Sequence, residues 1–282
     1  IEAAAEALVT WRATTPYQRA EFLMRAHALM LERQEALAKV MTAEQGKPLR
    51  AAMTEVKYAS DFLQWFAEEG KRVYGEIIPS ARPDQRFHVL HQAVGVVAAI
   101  TPWNYPISMI TRKLGPALAA GCTVVLKPAE ATPLTAIETF KIFEDAGFPP
   151  GVVNLVTAGD PVPVGEEFTS NPKVAKLTFT GSTAVGKMLA GKAAGNMKRV
   201  SCELGGHAPF LVLKDADPVH AAKGLQLVKF LNTGQACISP NRIFVHRDIL
   251  DRFLETLTGR VAGMKAGNGM EQGVTIGPLV NE

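Results

Sequence analysis

The feature that most constrains the fold is a regular alternation of short apolar runs with helix-like stretches through the middle of the chain. The apolar runs lie at residues 94–100, 123–126, 152–156, 175–180 and 199–202. The helix-like stretches between them lie near residues 107–120, 133–146, 161–170 and 183–195. Apolar strands that alternate with helices are typical of β-α-β units, whose strands form one parallel sheet. We therefore predict an α/β fold built on a parallel sheet.

The sequence on both sides of this alternation has a different character. The first 75 residues favour helices, with a Thr15-Pro16 start signal and a Gly46-Lys47-Pro48 stop. Residues 76–92 favour a protruding β-hairpin. Because an isolated hairpin is marginally stable, we expect it to pack on another surface, such as that of a second subunit. After Gly206 the pattern predicts a strand at 209–213, a helix at 217–231, a strand at 243–246 and a helix at 248–264.

Composition and charge argue against several classes of protein. The net charge of +3 over 282 residues is too weak to indicate binding to nucleic acid or to an anionic membrane. The longest uncharged apolar stretch, residues 114–126, is shorter than the roughly 20 residues that span a bilayer, and the acidic N-terminus is unlike a signal peptide. The three cysteines form no Cys-x-x-Cys pair or His/Cys cluster, which favours a reducing, cytoplasmic setting without disulfides or a metal site. Cys122 and Cys202 are interpreted as packing residues.

Three polar residues suit covalent catalysis on a carbonyl group. Cys237 follows a helical run in a glycine-containing segment, where its thiol could attack a carbonyl and its amide could help hold the oxyanion; the alternative is a small buried hydrophobe. Glu203 precedes two glycines at the end of an apolar run and suits a general base, although it could be a surface or capping carboxylate. Asn104 lies in a segment fixed by two prolines, which suits either an oxyanion donor or a plain rigid loop.

Two further segments suit a nucleotide. Phe179-Thr180-Gly181-Ser182 leads from a strand through a glycine turn into a helix, where backbone amides and the helix dipole favour an anion; a simple helix cap is equally favoured. Lys127-Pro128-Ala129-Glu130 suits the hydroxyls of a ribose, and its carboxylate would repel a 2′-phosphate and so favour NAD over NADP. A solvated charged turn is the alternative for this second segment.

Five segments together resemble the aldehyde dehydrogenase superfamily in order and spacing, and the resemblance covers essentially the whole chain. They are Pro102-Trp103-Asn104, Lys127-Pro128-Ala129-Glu130, Phe179-Thr180-Gly181-Ser182, Glu203-Leu204-Gly205-Gly206 and Gly234-Gln235-Ala236-Cys237. The resemblance implies a Rossmann-like NAD(P)-binding domain at residues 1–75 and 93–206 and an oligomerisation hairpin at 76–92. Residues 207–282 would form the N-terminal part of an α/β catalytic domain, and the enzyme would be a homodimer or homotetramer.

The resemblance also implies a mechanism and a set of cofactor contacts. Cys237 attacks an aldehyde as a thiolate, Asn104 and the Cys237 amide hold the oxyanion, hydride passes to NAD(P)⁺, and Glu203 activates the water that hydrolyses the thioester. The implied cofactor-binding residues are Thr101, Trp103, Lys127, Glu130, Gly165, Phe179, Gly181, Ser182, Val185 and Leu204. The family's later Glu-x-Phe motif and C-terminal strand do not occur among these residues, so we expect the chain by itself to be a poor catalyst.

Within the family, three segments are similar to the succinate-semialdehyde dehydrogenase branch: residues 110–113, 121–128 and 202–210. Arg112 matches an arginine that binds the substrate carboxylate there, whereas Leu231 stands at a second such arginine and Ser239 at a redox-active cysteine of some members. Succinate semialdehyde or a related semialdehyde is therefore the expected substrate. The alternatives are another small aldehyde, a non-catalytic nucleotide-binding homologue, or an acylating CoA-dependent enzyme; the last class typically lacks the deacylating glutamate, so Glu203 favours hydrolysis.

Overall fold

A computed structural model describes residues 1–282, and its N-terminal part is helical as the sequence predicted. The helices are α1 (Glu2–Trp11), α2 (Pro16–Glu32), α3 (Gln34–Gln45) and α4 (Leu49–Glu69). A capping box starts α2: the Thr15 hydroxyl accepts from the Gln18 amide, and the Gln18 side chain accepts from the Thr15 amide. Gly46 ends α3 with a φ of 90°, a left-handed conformation that a residue without Cβ adopts at little cost.

The predicted hairpin is present and projects from the chain. It consists of the antiparallel strands β1 (Glu76–Pro79) and β2 (Arg86–Val89), whose residues are all exposed. Its apolar side chains include Ile77, which is 71% exposed, and Leu90 just beyond it, which is 75% exposed. A hairpin with such side chains in water is a surface that favours association with another apolar surface.

A five-stranded parallel sheet forms the centre of the molecule and confirms the predicted fold class. Its strands are β3 (Val96–Ile100), β4 (Thr123–Lys127), β5 (Val153–Leu155), β6 (Val174–Gly181) and β7 (Arg199–Leu204), in the order β5-β4-β3-β6-β7. The connecting helices are α5 (Pro106–Ala119), α6 (Pro133–Asp145), α7 (Val162–Ser170) and α8 (Thr183–Ala194). Each lies within a few residues of its predicted position.

Helices cover both faces of this sheet, which explains why its strands read as continuous apolar runs. Along β3, Val97 and Ala99 belong to a core shared with α2 to α6, whereas Val96 and Ala98 belong to a second core shared with α1, α7 and α8. The alternation follows from the pleat, which points successive side chains to opposite faces.

The last part of the chain forms the predicted strand-helix-strand-helix unit. Its elements are β8 (Phe210–Val212), α9 (Pro218–Lys229), β9 (Ile243–Val245) and α10 (Leu250–Ala262), and the two strands pair in parallel. Val212, Leu225 and Phe253 are buried in a small core of this unit. No helix of the chain combines the length and the apolarity needed to traverse a bilayer.

The interpretation of two cysteines as packing residues is right for Cys122 and wrong for Cys202. Cys122 is buried, whereas Cys202 is exposed. Cys202 lies on β7, the last strand of the sheet, where α8 covers only part of the strand and most residues remain accessible. An edge strand lacks the neighbour that would bury such a side chain.

Candidate active site

Asn104 joins the loop after β3 to the segment that carries Cys237. The Asn104 side-chain nitrogen donates a hydrogen bond to the Gln235 carbonyl at 2.9 Å, and the Asn104 carbonyl accepts from the Asn232 side-chain nitrogen at 2.8 Å. Cys237 follows Gln235 by two residues. The structure therefore brings two of the three predicted catalytic residues, 133 positions apart in the sequence, to one place.

The chain turns sharply just before the cysteine. Asn232, Thr233 and Gly234 have φ angles of 50°, 61° and 83°, so three successive residues are left-handed. This conformation is costly for a β-branched residue such as Thr233 and is typical of functional segments. Cys237 itself is half-buried, and its amide makes no hydrogen bond within the chain. That amide remains a free donor, as a site for an oxyanion requires.

A buried ion pair contacts the backbone of Asn104, and the sequence did not predict it. Lys47 and Glu55 form a salt bridge with their side chains 1% and 2% exposed. The Lys47 ammonium donates to the Asn104 carbonyl at 2.8 Å and lies 4.3 Å from the centre of the Tyr105 ring. Burial lowers the pKa of Lys47, while the Glu55 carboxylate opposes that shift. The available signal was a carboxylate within the apolar stripe of α4, next to Val56.

The other oxygen of Glu55 holds the start of α5. It accepts from the Ile107 amide at 3.0 Å and from the Ser108 amide at 3.2 Å, two of the amides that a helix N-terminus leaves without internal partners. Tyr105 lies between these groups. Burial raises the pKa of Tyr105 to about 12, and the negative charges of Glu55 and of an ionised Cys237 act in the same direction.

Glu203, the third predicted catalytic residue, lines a groove against α5. It lies at the end of β7, in a groove of about 400 Å³ that Arg112 and Lys113 of α5 also line, whereas neither Asn104 nor Cys237 contributes to its walls. The sequence did not single out Lys113 as a functional residue. Its buried ammonium donates to the Thr178 hydroxyl at 3.0 Å. Burial and the charge of Arg112 lower the pKa of Lys113 to about 8, and Glu203 opposes the shift.

Arg112 is held by two aromatic residues of α4. One of its terminal nitrogens donates to the Tyr58 hydroxyl at 3.0 Å, and its guanidinium carbon lies 5.1 Å from the centre of the Phe62 ring. These contacts fix the orientation of the planar guanidinium and leave further N–H donors for a ligand. The predicted carboxylate-binding residue is therefore present as an oriented cation in the groove that contains Glu203.

A second cavity lies at the carboxyl ends of β3, β4 and β6, where parallel sheets bind nucleotides. Its volume is about 180 Å³, and four of the ten predicted cofactor residues line it: Lys127, Gly165, Phe179 and Val185. Its walls are predominantly apolar, with Ile100 and Leu189 among them. An apolar slot of this size beside a lysine fits a planar base with an adjoining ribose.

The other predicted cofactor residues do not line this cavity, although some of them contact residues that do. Glu130 forms a salt bridge with Lys127, and the Thr101 amide donates to the Lys127 carbonyl at 3.1 Å. Ser182 caps α8 by accepting from the Val185 amide at 3.4 Å. The half-buried Trp103 follows Thr101 in the same loop.

Two glycines allow the cavity wall to form. A Cβ at Gly181 would lie 2.5 Å from the Phe179 ring, and one at Gly186 would lie 2.5 Å from the Leu204 side chain. The close approach leaves the N-terminus of α8, with its partial positive charge, open beside the cavity. The residues present therefore fit a dinucleotide cofactor.

Comparison with known proteins gives consistent matches over the whole chain. The sequence model of the aldehyde dehydrogenase family matches residues 1–282. A glutarate-semialdehyde dehydrogenase of Pseudomonas aeruginosa is 53% identical over 281 residues, which are 100% of this chain and 58% of that protein. The NADP(+) succinate-semialdehyde dehydrogenase GabD of Escherichia coli is 52% identical over 282 residues, which are 100% of this chain and 58% of that protein.

A crystal structure of an aldehyde dehydrogenase from Brucella melitensis biovar abortus superimposes with a TM-score of 0.98. Its sequence is 50% identical, and the match covers 100% of this chain and 59% of that one. The chain thus spans about 58% of the length of the relatives it matches.

Proposed function

Because this chain belongs to the aldehyde dehydrogenase family, we propose that the protein containing it oxidises a carboxylated semialdehyde to the dicarboxylate with NAD(P)⁺. The observation that carries the proposal is the hydrogen bond from the Asn104 side chain to the Gln235 carbonyl, which puts an amide donor beside the segment of Cys237. Two relatives at 52% and 53% identity are named for succinate semialdehyde and glutarate semialdehyde. Their names support a substrate with an aldehyde at one end and a carboxylate at the other.

Cys237 is the nucleophile of the proposed reaction. Its thiolate forms a C–S bond to the aldehyde carbon, and the carbonyl electron pair becomes an oxyanion. The Cys237 amide and the Asn104 side chain each donate a hydrogen bond to that oxygen; preorganised donors of this kind are worth about 10²- to 10³-fold in rate. The chemistry that bound NAD(P)⁺ supplies is acceptance of the hydride from this carbon, which leaves a thioester on Cys237.

Glu203 completes the reaction by hydrolysis. Its carboxylate takes a proton from water as the water oxygen attacks the thioester carbon; the C–S bond then breaks, and the sulfur leaves as the thiolate. Lys113 lies in the same groove as a buried cation.

The proposed cofactor contacts follow the cavity and its surroundings. The adenine fits the slot lined by Gly165, Phe179 and Val185, and the paired Lys127 and Glu130 suit the hydroxyls of the adenosine ribose. Gly181 and Ser182 lie at the N-terminus of α8, which suits the pyrophosphate. Thr101, Trp103 and Leu204 would flank the bound cofactor. We propose NAD as the preferred cofactor because the Glu130 carboxylate would repel a 2′-phosphate.

The same proposal extends to domain organisation and assembly. Residues 1–75 and 93–206 form the cofactor-binding domain around the sheet, and residues 207–282 begin the catalytic domain. The exposed apolar hairpin at 76–92 packs on a second subunit of a homodimer or homotetramer. The exposure of its apolar side chains, among them Ile77 and Leu90, supports this assignment, because a second subunit would bury them.

The test is aldehyde oxidation by the enzyme that contains this chain, followed as NADH formation from succinate semialdehyde. Cys237→Ala should abolish turnover while NAD binding, measured by calorimetry, stays within about twofold. Cys202→Ala is the comparison variant: it removes the exposed thiol beside Glu203, which takes no part in the proposed chemistry, and it should retain most of the turnover. Normal turnover by Cys237→Ala would refute the mechanism. Repeating the assay with NADP tests the cofactor preference, which requires the larger kcat/KM with NAD.

A further inference from the structure

We propose that the buried Lys47–Glu55 pair is a positioning device that holds the oxyanion-binding amide of Asn104 in place. The inference rests on the proposed function, because that function gives the Asn104 side chain its role. Neither residue reaches the substrate in this proposal. Both act through the backbone at Asn104 and just after it.

The Asn104 carbonyl is held from two sides. The Lys47 ammonium and the Asn232 side-chain nitrogen each donate to it at 2.8 Å, the first from the helical layer and the second from the segment before the nucleophile. A carbonyl with two such donors fixes the peptide plane that follows residue 104. Since the Asn104 side chain leaves the same backbone, its amide is fixed relative to Gln235, its own acceptor.

Glu55 fixes the other end of the same short segment. One oxygen pairs with Lys47, and the other accepts from the Ile107 and Ser108 amides at the start of α5. The loop between β3 and α5 is thus tied at residue 104 through Lys47 and at residues 107–108 through Glu55. Tyr105, whose ring packs on the Lys47 ammonium, fills the space between the two attachments.

The chemistry of the pair points to positioning rather than to stability alone. Two fully buried charges carry a desolvation cost, and apolar side chains of similar size often stabilise such a site equally well. Apolar side chains, however, could neither donate to the Asn104 carbonyl nor accept from the α5 amides. A displacement of a catalytic group by about 1 Å can cost on the order of 100-fold in rate. Holding Asn104 in place can therefore outweigh the desolvation cost of the buried pair.

The test uses a variant that removes both charges and keeps the α5 cap, Lys47→Met/Glu55→Gln, in the enzyme that contains this chain. Removing Lys47 alone would leave an unpaired buried carboxylate, which is strongly destabilising. The rate of the first NADH turnover should fall about 10- to 100-fold, with KM for NAD within about threefold. Glu55→Gln alone is measured as well, in case the double variant does not fold. It retains the cap, and the Lys47 amine left without its carboxylate can lose its proton, because burial already lowers its pKa. The neutral amine is a weaker donor to the Asn104 carbonyl, so the same rate should fall.

A double-mutant cycle separates positioning from a merely structural role. In an Asn104→Ala background, both variants should cause no further loss in the rate of the first turnover, because the group they position is gone. Lys198→Met is the matched control: Lys198 is also a buried lysine that donates to two backbone carbonyls, those of Asn171 at 2.5 Å and Val174 at 2.8 Å. It should lower the melting temperature and leave the first-turnover rate of folded enzyme unchanged.

Two results would overturn the inference: no loss of rate in either folded variant, or a loss of equal size with Asn104→Ala already in place. Failure of the proposed function is recognised separately, since unmodified enzyme would then oxidise no aldehyde in the same assay. Oxidation by unmodified enzyme with a rate loss that persists in the Asn104→Ala background refutes only the positioning role.

Discussion

Arg112→Ala should remove the preference for an aldehyde that carries a distal carboxylate. Arg112 lies in the groove that Glu203 also lines, and its guanidinium is oriented by the Tyr58 hydroxyl at 3.0 Å and by the Phe62 ring. A charge-assisted hydrogen bond contributes about 1.5–3 kcal/mol, which corresponds to about a 10- to 100-fold effect on kcat/KM. Because Arg112 is partly exposed, screening by salt favours the lower end, about tenfold. Leu231 supplies no second guanidinium that would increase this preference in kcat/KM.

The assay compares kcat/KM for succinate semialdehyde and for butanal, which has the same chain length and no carboxylate. The unmodified enzyme should prefer the semialdehyde, and Arg112→Ala should treat the two substrates alike. Arg112→Lys keeps the charge without the planar fork and should retain an intermediate preference. Tyr58→Phe keeps the aromatic ring and loses only the hydrogen bond that orients Arg112, so its preference should fall by less than that of Arg112→Ala. Equal kcat/KM values in the unmodified enzyme, or a preference that survives Arg112→Ala, would refute the assignment.

Three further predictions concern the other groups of the site and the hairpin. Glu203→Gln should give a normal burst of NADH and then stall as the thioester; loss of the burst with steady turnover intact would contradict the hydrolytic role. Lys113 has its pKa lowered to about 8, so between pH 8 and pH 10.5 the unfolded chain binds a proton that the folded chain does not. The free energy of unfolding, relative to Lys113→Met, should therefore rise by at most about 3 kcal/mol across that range. Thermal melts of both proteins at pH 8 and pH 10.5 measure this rise, and an unchanged difference between the two proteins would contradict it. Ile77→Asp should dissociate the oligomer in light-scattering measurements, and an unchanged mass would argue against the hairpin contact.

The sequence was most informative where a local pattern and the fold agree. The run that became β3 is apolar because helices cover both of its faces, so the strand could be identified without knowledge of its neighbours. The start of α2 followed from Thr15 and Pro16 because a cap depends only on adjacent residues. Such features are determined within a few positions of the chain.

The features that sequence reasoning missed depend on distant neighbours. The Lys47 contact with Asn104 joins residues 57 positions apart, and no local pattern indicates which carbonyl a lysine will meet. The helical pattern predicted that α9 continues to residue 231, but the helix ends at Lys229 because Asn232 and Thr233 are left-handed. Sequence patterns rarely indicate this conformation in residues other than glycine. Cys202 was misplaced because an apolar run does not reveal that its strand lies at the edge of the sheet.

The reciprocal hydrogen bonds among Asn104, Asn232 and Gln235 make the proposed oxyanion site a property of two parts of the chain together. Asn104 follows β3 of the central sheet, whereas the other two residues precede Cys237 in the C-terminal unit. Local opening of either unit breaks both bonds, so amide hydrogens around residues 104 and 235 should exchange with solvent as a single cooperative group. Mutations that loosen the contact between these units would then lower the fraction of molecules competent for the proposed chemistry, while the proposed nucleotide cavity, built from the sheet, α7 and α8, stays folded.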